Sequence, residues 1–128
     1  METPNKVYVG WDEITRLVEN ICQQIVESGM QITSITGVER GGLIPAVMIS
    51  HILQIPYVTN IKKNTLVVDD ICDTGHTLKN IVGTKTATLH YKLTAEIQPT
   101  FFAKVVGPDW IVYPWERKDS EALVDHKK

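Results

Sequence analysis

With 128 residues, 43% hydrophobic and 22% charged, the chain suits one globular domain with a single buried core and argues against a disordered protein. Its net charge of −2, with no basic cluster before Lys127–Lys128, argues against binding to nucleic acid. No apolar run approaches bilayer length and residues 1–10 hold no signal-peptide core, so we expect no membrane contact and a cytoplasmic location.

The first half of the chain predicts two helices around a strand and a loop. Apolar residues recur at helical spacing over Asp12–Ser28, with the aspartate as expected N-cap and Gly29 as the expected end. Alternating apolar and hydroxyl side chains predict a strand over Ile32–Gly37. After a break at residues 38–42, a second helix is predicted over Leu43–Leu53.

The second half predicts further strands and one short helix. The strands are expected over Ile55–Thr59, Thr65–Asp70, Thr86–Lys92 and Pro99–Val106, and the helix over His76–Val82. The apolar run Leu66-Val67-Val68 indicates a strand buried on both faces. Strands that alternate with helices predict an α/β fold, with a mainly parallel sheet flanked by helices.

The strand-loop-helix segment Leu66–Leu78 has the clearest chemistry. In an open parallel sheet, ligands bind beyond the carboxyl ends of the strands, where this loop would lie. Asp69 and Asp70 could accept hydrogen bonds from a ribose diol. Residues 74–77 offer hydroxyls, a glycine and backbone amides at a helix start, which suit a phosphate. The alternative is that the acids only end a strand and cap a helix.

The segment resembles the phosphoribosyl pyrophosphate (PRPP) motif of type I phosphoribosyltransferases: a hydrophobic strand, two acids, two spacers, then D-T-G-x-T. This resemblance favours ligand binding and implies one Rossmann-like phosphoribosyltransferase domain over residues 1–128. It also implies that Asp69 and Asp70 hold the ribose. The 5-phosphate would be held by Asp73, Thr74, Gly75, His76 and Thr77.

A second segment, Arg40-Gly41-Gly42-Leu43, resembles the pyrophosphate-binding loop of the same family. Glycines let backbone amides approach an anion closely, and arginine adds positive charge. Alone, the same residues could equally form a turn with a solvated arginine. Their position between a strand and a helix favours pyrophosphate binding by Arg40, Gly41 and Gly42.

The segment Trp110-Ile111-Val112-Tyr113-Pro114-Trp115-Glu116 resembles the W-I-V-x-P-W-E stretch of small 6-oxopurine phosphoribosyltransferases of the xanthine-guanine and hypoxanthine types. The resemblance implies a core over about 7–106, a base-binding hood over about 107–118 and a polar tail over 119–128. Trp110 would stack on the purine, and the backbone around Ile111 would meet the far edge of the base. The alternative makes Trp110 and Trp115 both core aromatics; we expect only Trp115 to be structural.

Two lysines are candidates for the family's contact with the purine 6-oxygen. Lys92 closes T-L-H-Y-K, where the family has T-L-x-Y-K, and is the better match. Lys104 lies inside the next strand and is expected to be solvated. The histidines show no metal-ligand spacing, and we expect all of them to be solvent-facing or edge residues: His51, His76, His90 and His126.

The resemblance implies a purine-salvage enzyme that transfers ribose 5-phosphate from PRPP to guanine, xanthine or hypoxanthine. Pyrophosphate and a purine nucleoside monophosphate would be released. Asp73 would act as general base or electrostatic partner at purine N7. Mg²⁺ would arrive with PRPP, held by substrate and water, with no direct protein ligand and with Asp69 or Asp70 at most as indirect ligands.

The sequence departs from the family between the strand at Ile55–Thr59 and the PRPP strand. Type I enzymes usually carry a long flexible hairpin there, and this chain has only residues 60–64. Hairpin closure excludes water from the reacting centre, so we predict a slow enzyme. A homodimer or homotetramer is expected, and a partner could supply a lid. The alternative function is a PRPP- or nucleotide-binding regulatory module with weak or no turnover.

Overall fold

The computed structural model describes residues 5–81 and 84–116. Its elements follow in the order β1 (Lys6–Tyr8), α1 (Trp11–Ser28), β2 (Ser34–Gly37), α2 (Leu43–Leu53), β3 (Thr65–Cys72), α3 (His76–Lys79), β4 (Lys85–Lys92), β5 (Phe101–Val106) and β6 (Trp110–Val112). The predicted polar tail and His126 lie outside the described residues.

The main sheet contains β2, β3, β4 and β5 in that order, and all its neighbouring strands are parallel. The central strands β3 and β4 are buried along most of their length, which explains the continuous apolar run at Leu66–Val68. Parallel alignment brings the loops that follow β2, β3 and β4 to one edge of the sheet. The predicted α/β class with a mainly parallel sheet is confirmed.

The helices α1 and α2 pack on the same apolar core. Helix α1 begins after Gly10, so the predicted N-cap at Asp12 is wrong; that residue is in the first turn, where its charge complements the helix dipole. It ends as predicted at Gly29, which adopts the left-handed conformation with φ 68°. Helix α2 has the predicted bounds. No helix within residues 5–81 and 84–116 combines the length and apolarity needed to cross a membrane.

Most predicted strands differ in their bounds: β2 begins at Ser34 rather than Ile32, β4 at Lys85 rather than Thr86, and β5 at Phe101 rather than Pro99. Three further predicted elements also differ. The segment Ile55–Thr59 forms no strand, only an isolated bridge between Tyr57 and Ile35. Helix α3 is a single turn that ends at Lys79, and the predicted end at Val82 lies outside the described residues. Strand β3 continues two residues past the predicted end at Asp70, because its pairing with β4 also continues.

The C-terminal hood is a two-stranded parallel ribbon of β1 and β6, separate from the main sheet. Its register pairs Lys6 with Trp110, Val7 with Ile111 and Tyr8 with Val112. Strand β1 was absent from the sequence prediction, which began the hood near residue 107. The hood therefore includes N-terminal residues, whereas the sequence prediction placed it entirely in the C-terminal segment.

Candidate functional site

The loop between β2 and α2 packs directly on the carboxyl end of β3. The Val38 N–H donates to the Val68 carbonyl at 2.9 Å, and the Gly42 N–H donates to the Val38 carbonyl at 2.8 Å. A Cβ on Gly42 would collide with the Val68 carbonyl and lie 2.9 Å from the Asp69 Cα. Only glycine therefore permits this approach of two backbones.

Arg40 and Gly41, the other predicted pyrophosphate residues, form the outer part of this loop. Arg40 is exposed and Gly41 is buried, and the peptide bond between Glu39 and Arg40 is cis. The Arg40 carbonyl accepts a hydrogen bond from the Leu43 N–H at 3.1 Å, where α2 begins. An exposed guanidinium beside glycine backbone is suited to binding an anion.

The paired acids Asp69 and Asp70 are both buried in β3, with 0% and 6% of their surface exposed. The Asp70 N–H donates to Asp69 Oδ1 at 2.8 Å, and the Ile71 N–H donates to Asp70 Oδ1 at 2.8 Å. These amides fix the orientation of the two carboxyl groups. Because successive side chains of a strand point to opposite faces, the two carboxylates lie on different sides of the sheet.

The loop after β3 is held against the segment between β4 and β5. Gly75 has φ +87°, and a Cβ on it would lie 3.1 Å from the backbone nitrogens of Glu96 and Ile97. The Thr74 carbonyl accepts from the Glu96 N–H at 2.8 Å, and the Thr74 hydroxyl accepts from the His76 N–H at 3.2 Å. Since α3 has one turn, its dipole is small, and an anion here would depend on loop amides and hydroxyls.

Asp73 and Lys92, predicted to contact the purine, are brought together at this edge. The Lys92 Nζ lies 3.4 Å from Asp73 Oδ1, and the side chains are 14% and 33% exposed. The rival candidate Lys104 instead pairs with Glu13 at 3.5 Å and is 56% exposed. The pair joins the phosphate loop to the end of β4, which favours Lys92 over Lys104 as a base contact.

In the hood, Trp110 and Ile111 differ in how far their side chains are exposed. Lys6 Nζ lies 5.2 Å from the centroid of the half-buried Trp110 ring, a cation-π contact. The Ile111 side chain is buried and lines a cavity of about 270 Å³ behind the hood. Trp115 stacks on Tyr113 with ring centroids 4.9 Å apart and packs on the core, which fits the expected structural role.

Cys72 ends β3 next to these residues, yet it is not a reactive thiol. Burial, reinforced by the charges of Asp69 and Asp73, raises its pKa to about 11. The pKa of Cys22 is likewise raised to about 11 by burial and by Glu19. Both cysteines are free, and neither would be a thiolate at neutral pH.

The prediction that every histidine is a solvent or edge residue is wrong for His90, which is 1% exposed. It lies in the central strand β4, and its ring contacts Tyr113 from the segment after β6, with ring centroids 5.5 Å apart, which covers it from water. His51 and His76 are exposed, as predicted. The interior position of the T-L-H-Y-K strand was the missed signal.

His90 and Tyr113 form a buried hydrogen-bonded pair that ends on β3. Tyr113 Oη donates to the Asp70 carbonyl at 3.1 Å and lies 2.8 Å from His90 Nδ1. The Tyr113 hydroxyl donates its proton to the Asp70 carbonyl, so its oxygen can only accept from His90. A neutral His90 ring therefore carries its proton on Nδ1 and donates it to the tyrosine oxygen. Burial lowers the pKa of His90 to about 4, which keeps the ring neutral; Lys104 adds to the lowering, while Glu13 and Asp70 oppose it.

Stability is expected to fall as the pH is lowered from about 6.5 toward about 4. In that window an unfolded His90 binds a proton and the folded one does not, so unfolding is favoured by about 3 kcal/mol at the acid end. Urea unfolding of the wild type and of His90→Asn at several pH values measures this. The free energy of unfolding of the variant should not show this fall at acid pH. The same pH dependence of the free energy of unfolding in both proteins would contradict the prediction.

Known proteins resemble this chain along most of its length. A purine phosphoribosyltransferase from Pyrococcus horikoshii is 30% identical, with 93% of this chain and 99% of that chain covered and a TM-score of 0.78. A xanthine-guanine phosphoribosyltransferase of Chromohalobacter salexigens is 28% identical, with 91% of this chain and 89% of the relative covered. The Helicobacter pylori xanthine-guanine-hypoxanthine phosphoribosyltransferase, at 20% identity and a TM-score of 0.78, shares the fold; 88% of this chain and 93% of that chain are covered. No family model matches the chain.

Proposed function

Because this chain belongs to the type I phosphoribosyltransferase family, we propose that it transfers the ribose 5-phosphate of PRPP to N9 of guanine, xanthine or hypoxanthine. The products are a purine nucleoside monophosphate and pyrophosphate. The observation that supports this most directly is the contact between Lys92 and Asp73, 3.4 Å apart at the carboxyl edge of the sheet.

The Lys92–Asp73 pair complements one edge of a 6-oxopurine. The O6 and N7 atoms lie side by side on that edge, and O6 accepts a hydrogen bond. Lys92 donates to O6, while Asp73 faces N7 as general base or electrostatic partner. Trp110 stacks on the face of the base, and the backbone at Ile111 meets its far edge.

The remaining loops bind the rest of PRPP and position it for attack by the purine nitrogen. Pyrophosphate is bound by Arg40, Gly41 and Gly42, the ribose hydroxyls by Asp69 and Asp70, and the 5-phosphate by residues 73–77. Catalysis comes from orientation and from charge stabilisation as the bond to pyrophosphate breaks.

Magnesium enters this site with its substrate. Within residues 5–81 and 84–116, no group of three or more His, Cys, Asp or Glu side chains is arranged to hold a metal ion. Asp69 and Asp70 each already accept a backbone amide on one oxygen, which suits contact with the ion through water. When bound, Mg²⁺ offsets the negative charge of the pyrophosphate group.

The enzyme acts as a homodimer or homotetramer in the cytoplasm. Helix α2 supports self-association because apolar residues surround it instead of forming one stripe. Its side chains Val47 and Ile52 are 43% and 49% exposed. A second copy of the chain would bury this face.

Turnover is expected to be below the roughly 10 per second typical of enzymes. Residues 58–64 contain neither helix nor strand and end in a tight turn, in which the Thr65 N–H donates to the Lys62 carbonyl at 3.1 Å. This short connection cannot cover the reacting centre as a long hairpin would, so water exclusion suffers while orientation survives. Steady-state kinetics with PRPP, Mg²⁺ and each 6-oxopurine measures the rate.

The same short connection supports a second candidate function, a PRPP- or nucleotide-binding regulatory module. The kinetic assay separates the two. Nucleotide formed from any of the three bases supports the transferase, whereas binding of guanosine monophosphate without turnover from any base supports the module. A fast rate would contradict the expected penalty and would indicate that a partner subunit covers the site.

A further inference from the structure

We propose that Tyr113, held by His90, is a positioning residue that fixes the hood against the ribose-binding end of β3. It would thereby set the distance between the hood and β3, and with it the position of the purine. This inference rests on the proposed transferase function. The contacts from His90 Nδ1 to Tyr113 Oη and from Tyr113 Oη to the Asp70 carbonyl, 2.8 and 3.1 Å long, are called the Tyr113 tether below.

The hood packs on the core through Val9, Ile111 and Trp115 but is not joined to the main sheet by strand pairing, so directional contacts must fix its position. Among the described residues, strands β1 and β6 pair only with each other, in a ribbon separate from β2–β5. The ladder of the main sheet therefore cannot set the distance between the hood and β3. The Tyr113 tether spans this boundary with two buried hydrogen bonds.

Tyr113 is held in place by several contacts, so it can fix the position of the hood. Its N–H donates to Glu116 Oε1 at 2.9 Å, and its carbonyl accepts from the Glu116 N–H at 2.9 Å, which closes the turn after β6. Its ring stacks on Trp115 and is 3% exposed. Displacing the hood would leave a buried hydroxyl and a buried imidazole N–H without partners, and burial makes that costly.

Each member of the tether lies close in sequence to a residue proposed to contact the base. Tyr113 follows Trp110 by three positions, His90 precedes Lys92 by two, and Asp70 precedes Asp73 by three.

The tether thus joins all three segments that surround the purine. His90 and Tyr113 both occupy positions marked x in the family patterns T-L-x-Y-K and W-I-V-x-P-W-E, so the resemblance itself does not imply the contact.

The first test compares Tyr113→Phe with Tyr91→Phe. Both changes remove one hydroxyl from a buried aromatic ring, but Tyr91 is packed among apolar side chains near Phe102. Tyr113→Phe should raise KM for the purine about tenfold, the cost of unpairing one buried group, with kcat and KM for PRPP changed less. Tyr91→Phe should leave the KM for the purine unchanged.

The second test separates positioning from general stability. His90→Asn retains a neutral N–H near the Nδ1 position, so its KM for the purine should stay close to the wild-type value. His90→Leu has no such donor, so its KM for the purine should rise as in Tyr113→Phe. Hydrogen exchange of residues 108–116 should be faster in His90→Leu and Tyr113→Phe than in the wild type. Exchange over residues 65–72 should change little.

The outcomes are distinguishable from failure of the transferase function. A wild type without turnover refutes that function, and hydrogen exchange in the hood still tests the tether. Unchanged hood exchange in Tyr113→Phe and His90→Leu would overturn the inference. So would a loss of thermal stability in these variants with the purine KM unaltered in an active enzyme.

Discussion

Replacing Asp73 by Asn is expected to lower kcat by about two to four orders of magnitude and largely to preserve nucleotide binding. The amide keeps the size of the side chain but cannot take a proton from the purine. It also removes the negative charge that lies 3.4 Å from Lys92 Nζ. Both effects act on the base as it reacts, so turnover should suffer more than affinity.

A matched control is Asp12→Asn, the same chemical change at an exposed position in the first turn of α1. The measurements are steady-state kcat with PRPP and each 6-oxopurine, and calorimetric binding of guanosine monophosphate. Near-normal turnover in Asp73→Asn would remove this carboxylate from the mechanism. Loss of nucleotide binding together with turnover would instead assign Asp73 to the phosphate loop alone.

The parts of the fold that local sequence determines were predicted well. A buried parallel strand requires a continuous apolar run, which Leu66–Val68 provides. Helix α2 has the predicted bounds because Gly42 ends the preceding loop and Leu53 is the last residue of its apolar pattern. The assignment of residues 73–77 to a 5-phosphate rests on the motif resemblance and stays a prediction.

Features that depend on distant pairing were missed. Strand β1 has three residues, too few for a periodic pattern, and its partner Trp110–Val112 lies about a hundred positions later. The burial of His90 involves its contact with Tyr113, 23 positions later in the chain, which short-range patterns do not specify. The segment Ile55–Thr59 is the opposite case, because its residues favour a strand but none forms. Among the described residues, its pairing is limited to the isolated bridge between Tyr57 and Ile35.

At the candidate site, the sequence predicted which residues bind the substrate but did not determine how deeply they are buried. Asp69 and Asp70 look equivalent in the motif, yet Asp69 is 0% exposed and Asp70 is 6% exposed. The D-T-G-x-T loop suggested a helix dipole at the phosphate, but α3 is one turn long. These differences arise from the continuation of β3 through Cys72 and from packing against the segment at Glu96.

Replacing Gly42 by Ala should reduce both stability and PRPP affinity. The new methyl group would collide with backbone atoms, namely the Val68 and Val38 carbonyls and the Asp69 Cα, and backbone cannot turn aside as a flexible side chain can. Overpacking of this kind costs about 3 kcal/mol. If the loop moves outward to relieve the clash, the hydrogen bond from Val38 to Val68 is lost and the amides proposed to bind pyrophosphate are displaced.

Gly107→Ala is the matched control, because a Cβ there has no atom within 4 Å. Urea unfolding should separate the two variants by about 3 kcal/mol, and KM for PRPP should rise at least about tenfold in Gly42→Ala only. A variant that is less stable but has a normal KM for PRPP would mean that the loop packs on β3 without binding pyrophosphate. Unchanged stability would mean that the backbones at Gly42 and Val68 separate easily, and the close approach would then not hold this edge of the site together.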